Sequence, residues 1–160
     1  MLAKVFPKGK AGISYLLSKE HCPVISGDPE VVQGLIDASR SKNPSTSGVL
    51  SFEELIDRDQ AQAIIEDFES KVLAPGIDRD DYAITWIEHN EGDPDAPRTG
   101  LHFVMSNTHL STGKQLQPYW HKSDHNRKRD WQAVTNHEYG LSDPDAPERR
   151  QVLTADMRLP

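Results

Sequence analysis

The chain has 160 residues, of which 36% are hydrophobic and 27% charged, and its formal net charge is −7. That length supports one hydrophobic core and stops short of the size at which a second becomes expected. No apolar run approaches the roughly 18 residues that would suggest a membrane span. The N-terminal MLAKVFPKGK leads into Gly and Ser rather than an apolar stretch, so no secretory leader is expected. The single cysteine, Cys22, excludes an intrachain disulfide and suits a reducing cytoplasm. The acidic balance argues against holding nucleic acid by bulk charge alone. Charge is nevertheless segregated: the acids concentrate in 52–70, and Lys4, Lys8, Lys10, Lys114, Lys122, Arg127, Lys128 and Arg129 are available for a basic face.

In chain order, MLAKVF reads as a short strand, PKGKAG as a turn and ISYLLSK as the start of a helix. DPEVVQGLIDASR predicts a helix over 28–40, with Asp28 as N-cap, Pro29 at the first position and Val32, Leu35 and Ile36 spaced for burial. GVLSF (48–52) is a short strand running into an acidic helix over 52–70, with Leu55, Ile64, Ile65 and Phe68 at helical spacing. The two best strands are YAITWIEH (82–89) and LHFVMSN (101–107), joined by the loop NEGDPDAPRTG. HLSTGKQLQPY reads as a loop. A helix is expected from about Arg129 to Gly140, with Trp131 and Val134 facing inward. One domain is expected over 1–145, followed by a tail over 146–160 that looks like the start of a further region.

Alternation along the two central strands sorts their side chains. Ala83, Thr85, Ile87 and His89 share one face; Tyr82, Ile84, Trp86 and Glu88 share the other. In the partner strand His102, Val104 and Ser106 oppose the bulkier Leu101, Phe103 and Met105. Packing the bulky faces under helices leaves His89 and His102 together on the opposite face. The expected fold is α+β, an antiparallel-rich central sheet with helices on one face and the site on the other. Two imidazoles on one hairpin propose a metal site. By pattern alone Tyr15 reads as a core residue, and Trp86 and Trp131 as core rather than base-stacking platforms. His121 and His125 have the i,i+4 spacing of a metal pair, but their setting after Pro118 reads as a turn.

Five segments then fall in a telling order: KVFPKGKAGISYLL, STSGVLSFEE, WIEH followed by LHFVMSN, STGKQLQPYW and DWQAVTNHEYGL. Together they resemble the conjugative relaxases, the plasmid mobilisation nucleases of the histidine-hydrophobic-histidine endonuclease superfamily, and in particular the small-plasmid mobilisation branch. The resemblance covers most of the chain. It implies a transesterase that nicks one DNA strand at a transfer origin for conjugative mobilisation. Tyr15 would be its nucleophile, forming a 5′-phosphotyrosyl intermediate. It implies a divalent cation, Mg²⁺ or Mn²⁺, on His89 and His102, and as partners single-stranded or hairpin origin DNA, accessory mobilisation proteins and a coupling protein. It also implies a cytoplasmic protein.

Within that resemblance Glu53 or Glu54 would support a ligating histidine from behind. Lys8, Lys10, Ser47, Gly48, Asn107 and Lys114 would contact DNA. One departure matters. Family members carry a third metal ligand two residues before the position of His102, and this chain has Gly100 there. Glu91 leads the candidates to complete the set, followed by Asp93, Asp95 and His109. The departure also supports an alternative, a degenerate relaxase-like module that binds a DNA hairpin without nicking it. A third reading is a metal phosphohydrolase that uses water in place of Tyr15.

Overall fold

The computed structural model of the chain describes residues 1–7, 13–17 and 22–146. Five antiparallel strands form one sheet in the order β1-β3-β5-β4-β2. They are β1 (Leu2–Phe6), β2 (Val24–Ser26), β3 (Ser45–Phe52), β4 (Ile84–Asp93) and β5 (Ala96–Ser106). The α-helices are α1 (Ile13–Leu17), α2 (Pro29–Ala38), α3 (Arg58–Phe68) and α4 (His121–Tyr139). The architecture is thus α+β with an antiparallel sheet, as the alternation of elements implied. Lys8 and Lys10, and the tail from residue 147 onward, lie outside the described residues. No helix among the described residues is long and apolar enough to cross a membrane.

Helix boundaries follow local capping. Asp28 caps α2 by accepting from the Glu30 N–H, with Pro29 in the first turn, as expected. The acidic helix begins only at Arg58, because β3 continues to Phe52 and Asp57 provides the cap, accepting from the Gln60 N–H. Leu55 therefore lies outside the helix and is exposed, contrary to its expected burial. Helix α4 starts at His121 rather than Arg129. Asp124 reaches back to accept the Trp120 N–H at 2.7 Å, which starts the helix three residues after Pro118. It ends where expected, at Gly140, whose left-handed φ of 62° suits glycine. Trp131 is buried but Val134 points to solvent, because the face of α4 that meets the sheet carries Trp131, Gln132, Thr135 and Asn136.

Two clusters hold the sheet between helices. On the bulky face, Leu50, Phe52, Trp86, Leu101 and Phe103 pack with Ile64, Ile65 and Phe68 of α3 and Trp131 of α4. Phe68 is central, with ring centroids 6.0, 5.8 and 4.8 Å from those of Trp86, Phe103 and Trp131. On the histidine face, Ile13 and Leu16 of α1 and Val32 of α2 cover Ile87 and Val104. The helices therefore form two layers rather than the one expected, because Ile87 and Val104 are apolar and must also be taken out of water. The two buried tryptophans are core, as read from the sequence.

A π-helical turn, Glu69–Leu73, extends α3 and carries the buried carboxyl of Glu69 against the bulky core. Burial pushes the Glu69 pKa upward, and the Arg79 guanidinium at 3.4 Å offsets this only in part. A carboxyl whose folded pKa is raised destabilises the fold above that pKa, and the penalty vanishes below its ordinary value of about 4.5. Glu69→Gln is expected to raise the melting temperature at pH 7, with the gain shrinking to nothing as the pH falls below about 4.5. Thermal melts of both proteins across pH 4 to 8 measure this; a gain that grows on acidification would contradict it.

Candidate functional site

The segment between the two histidines is largely ladder rather than loop. Strand β4 continues to Asp93 and β5 begins at Ala96, leaving only Pro94 and Asp95 to turn the chain. A Pro-Asp pair suits so tight a reversal, since proline presets its φ and aspartate tolerates turn geometry. In the resulting register Glu91 pairs with Arg98, His89 with Gly100, and Ile87 with His102. His89 and Glu91 then share a face by the two-residue period of a strand, with His102 diagonal to His89 on that face. Ligand atoms of His89, Glu91 and His102 lie within 4.8 Å of one another, and the two imidazole centroids are 4.3 Å apart. Among the described residues this is the one group of three or more potential metal-binding side chains. Asp93, Asp95 and His109 are not part of it.

Gly100 acquires a physical role. A Cβ built on it would stand 2.5 Å from Glu91 Oε1 and 2.6 Å from Glu91 Cδ. The Glu91 carboxylate thus fills the space that a side chain at position 100 would take. Its Oε1 accepts from His102 Nε2 at 2.7 Å. As a part-exposed hydrogen bond this contact would stabilise the fold little. Its interest lies in the donors it gathers.

His89 is only 3% exposed. Its Nε2 lies 3.0 Å from the carbonyl oxygen of Leu16, and a carbonyl can only accept, so Nε2 carries the proton. In the neutral ring Nδ1 then holds the lone pair, and this buried atom makes no hydrogen bond. An orphaned imidazole lone pair beside a carboxylate and a second imidazole is a donor set that suits a divalent cation. The residue before Leu16 is Tyr15. Ile13 and Leu16 anchor α1 in the second cluster, while Tyr15 is 62% exposed, so it is not the core residue that its apolar neighbours imply.

The remaining expected site residues are placed elsewhere. Glu54 does not back a histidine: its Oε1 accepts from the N–H and hydroxyl of Ser142, at 2.8 and 2.6 Å. Glu53 is exposed and borders the same shallow cavity as Glu91 and Arg98. Gly48 lies on the bulky face, where a Cβ would meet the Lys4 carbonyl and the Phe103 ring, so its lack of a side chain serves packing rather than DNA. Ser47 is on the histidine face but buried. Asn107 is buried and committed, accepting from Thr46 and donating to the Asn43 carbonyl. Lys114 is exposed in the loop that follows β5, past the end of the strand at Ser106. His109 is at that end too, 3.8 Å from Asp81. His121 and His125, expected in a turn, are helical with ring centroids 4.8 Å apart, but no third such side chain joins them among the described residues. Sequence reasoning missed the Leu16 carbonyl, a backbone atom with no residue signature. It also missed the accommodating role of Gly100, which requires the register.

Two curated proteins resemble the chain over its whole length. DNA relaxase MbeA of Escherichia coli is 41% identical, and the chain spans 32% of that protein. Cryptic plasmid protein C of Neisseria gonorrhoeae is 39% identical, and the chain spans 80% of it. No family model and no solved structure matches the chain.

Gly100 supplies a test of the donor set. Gly100→Ala is expected to push the Glu91 carboxylate aside while leaving the fold intact, because the obstructed atoms end a flexible side chain. Mn²⁺ affinity, read by calorimetry, should fall by at least about tenfold with an unchanged melting temperature. Unaltered affinity would remove Glu91 from the set.

Proposed function

Because the chain belongs to the plasmid mobilisation relaxases, we propose that it nicks one DNA strand at a plasmid transfer origin by attack of Tyr15 on a phosphodiester. One observation carries the residue assignment. The carbonyl of Leu16, next to Tyr15 in the chain, accepts the proton of His89, so the helix bearing the exposed phenol is tied directly to the candidate metal ligands.

The Tyr15 oxygen forms a bond to phosphorus as the bond to the 3′ oxygen breaks. The phenol gives up its proton and the leaving oxygen gains one. The products are a 5′-phosphotyrosyl protein and a free 3′-OH, and attack by that hydroxyl reverses the reaction. A protonated phenol is a weak nucleophile, so the site must stabilise developing negative charge. His89, Glu91 and His102 would hold a divalent cation, Mg²⁺ or Mn²⁺, which when bound would supply that stabilisation as a Lewis acid. The Leu16 carbonyl keeps the His89 lone pair on Nδ1, and the space above Gly100 lets Glu91 lie beside His102. Exposure of Tyr15 leaves the phenol within reach of a strand that arrives from solvent.

Single-stranded or hairpin origin DNA is the proposed substrate. Accessory mobilisation proteins and a coupling protein are its proposed partners, in the cytoplasm. The alternative of a hairpin-binding module that does not cut drew its support from Gly100, and Glu91 beside Gly100 weakens that support.

Incubating the protein with supercoiled plasmid bearing its origin and Mg²⁺ or Mn²⁺ is expected to give nicked circles and a covalent adduct. Tyr15→Phe should abolish both and keep origin binding. Equal nicking by Tyr15→Phe would sink the tyrosine mechanism in favour of water, and tight hairpin binding without any nicking would favour the non-cutting module.

A further inference from the structure

Residues paired across antiparallel strands point to the same side of a sheet. On the histidine side one row runs Lys4, Val49, His102 and Ile87, and the next runs Phe6, Ser47, Val104 and Thr85. Helices α1 and α2 cover the part of this face on β4 and β5, through Ile87 and Val104. The part on β1 and β3 is different. There Phe6 is 49% exposed, Lys4 is exposed, and Val49 and Ser51 are partly so. The opposite sides of the same two strands are closed, with Ala3, Leu50 and Phe52 all buried. Among the described residues, Lys4 and Phe6 of the edge strand are therefore exposed on the side of the sheet that carries a candidate metal ligand, while Ser47 beside Phe6 is buried.

A single exposed phenylalanine is ordinary. Phe6 is distinguished by Lys4, two residues away on the same face, and by the position of Lys4 in the row of His102. Two strand spacings separate those backbones, about 10 Å, which three stacked nucleotides would span at ~3.4 Å each, and fewer in an extended strand.

We propose that Phe6 and Lys4 form a subsite for single-stranded DNA flanking the phosphodiester that is cut, with a base stacked on the Phe6 ring and a backbone phosphate on the Lys4 ammonium. Aromatic faces accept any base and lysines accept any phosphate, so the subsite grips the strand without reading its sequence. It explains how a chain of net charge −7 can hold a polyanion, because the contacts are local. The subsite rests on the relaxase reading and adds to it the track by which the strand passes the metal ligands.

The test uses the whole chain and a fluorescein-labelled oligothymidylate of about 16 nucleotides, with EDTA present so that binding is measured without cutting. Phe6→Ala is expected to weaken binding by about tenfold, and Phe6→Trp to restore it. Lys4→Ala should weaken binding and reduce the slope of log affinity against log salt by about one. Both side chains are exposed, so melting temperatures should stay the same and any loss reports contact. If wild type binds and nicks origin DNA while Phe6→Ala and Lys4→Ala bind as wild type does, the subsite is overturned and the relaxase reading stands. If wild type neither binds the oligonucleotide nor nicks origin DNA, both fall. If Phe6→Ala instead abolishes a concentration-dependent dimer in light scattering and leaves DNA affinity unchanged, this face belongs to a second copy of the chain and the proposal is wrong.

Discussion

The register of β4 against β5 is the constraint on which the site depends. A slip of one residue would turn His102 toward α3 and α4 and bring Leu101 to the other face. Several contacts oppose such a slip. Trp86 sits opposite Phe103, with ring centroids 4.8 Å apart, and both pack on Phe68. At one end of the hairpin Pro94 and Asp95 make a tight turn, and at the other Asn107 bonds to Thr46 and to the Asn43 carbonyl. The bulky core thus aligns polar groups on the face it does not touch.

That second face must satisfy two demands. Ile87 and Val104 need cover, while the candidate ligands His89, Glu91 and His102 would need access to a cation. Helices α1 and α2 meet the first demand over the middle of β4 and β5 and stop short of the second. Burying His89 would be costly without a partner, and the Leu16 carbonyl provides one. One hydrogen bond therefore satisfies a buried donor, selects the histidine tautomer and holds the tyrosine-bearing helix beside the site. Such economy suits the proposed reaction, in which nucleophile and cation would act on one phosphate.

The chain makes up about a third of its E. coli relative, at 32% of that length, and most of the gonococcal one, at 80%. The shared portion contains the tyrosine helix and the histidine hairpin. Its acidic balance does not describe every part of the surface, since Lys4 and Phe6 are exposed on the face that carries the candidate metal ligands. Average charge bounds solubility and long-range attraction, while contact with a DNA strand is decided over a few ångströms.

Much of this was legible in the residues. Alternation alone put His89 and His102 on one side of a hairpin, because side-chain direction in a strand follows from local backbone geometry. Capping chemistry located α2 through Asp28 and Pro29, and the end of α4 through Gly140. Order along the chain tied Tyr15 to the hairpin through the family resemblance. Residues whose roles depend on distant neighbours were misread. Asn107 and Gly48 looked like DNA contacts and are structural, Glu54 looked like support for a histidine and binds Ser142, and a stretch rich in turn residues, NEGDPDAPRTG, became ladder around a two-residue turn. By itself the sequence determined the kind of elements, the sidedness of the histidines and the chemical types available. Only the tertiary structure decided that Glu91 fills the space above Gly100, that His89 leans on the carbonyl beside Tyr15, and that Phe6 lies half exposed. Each of these depends on cross-strand register or helix docking, which joins residues far apart in the chain and is set by the packing of the whole core.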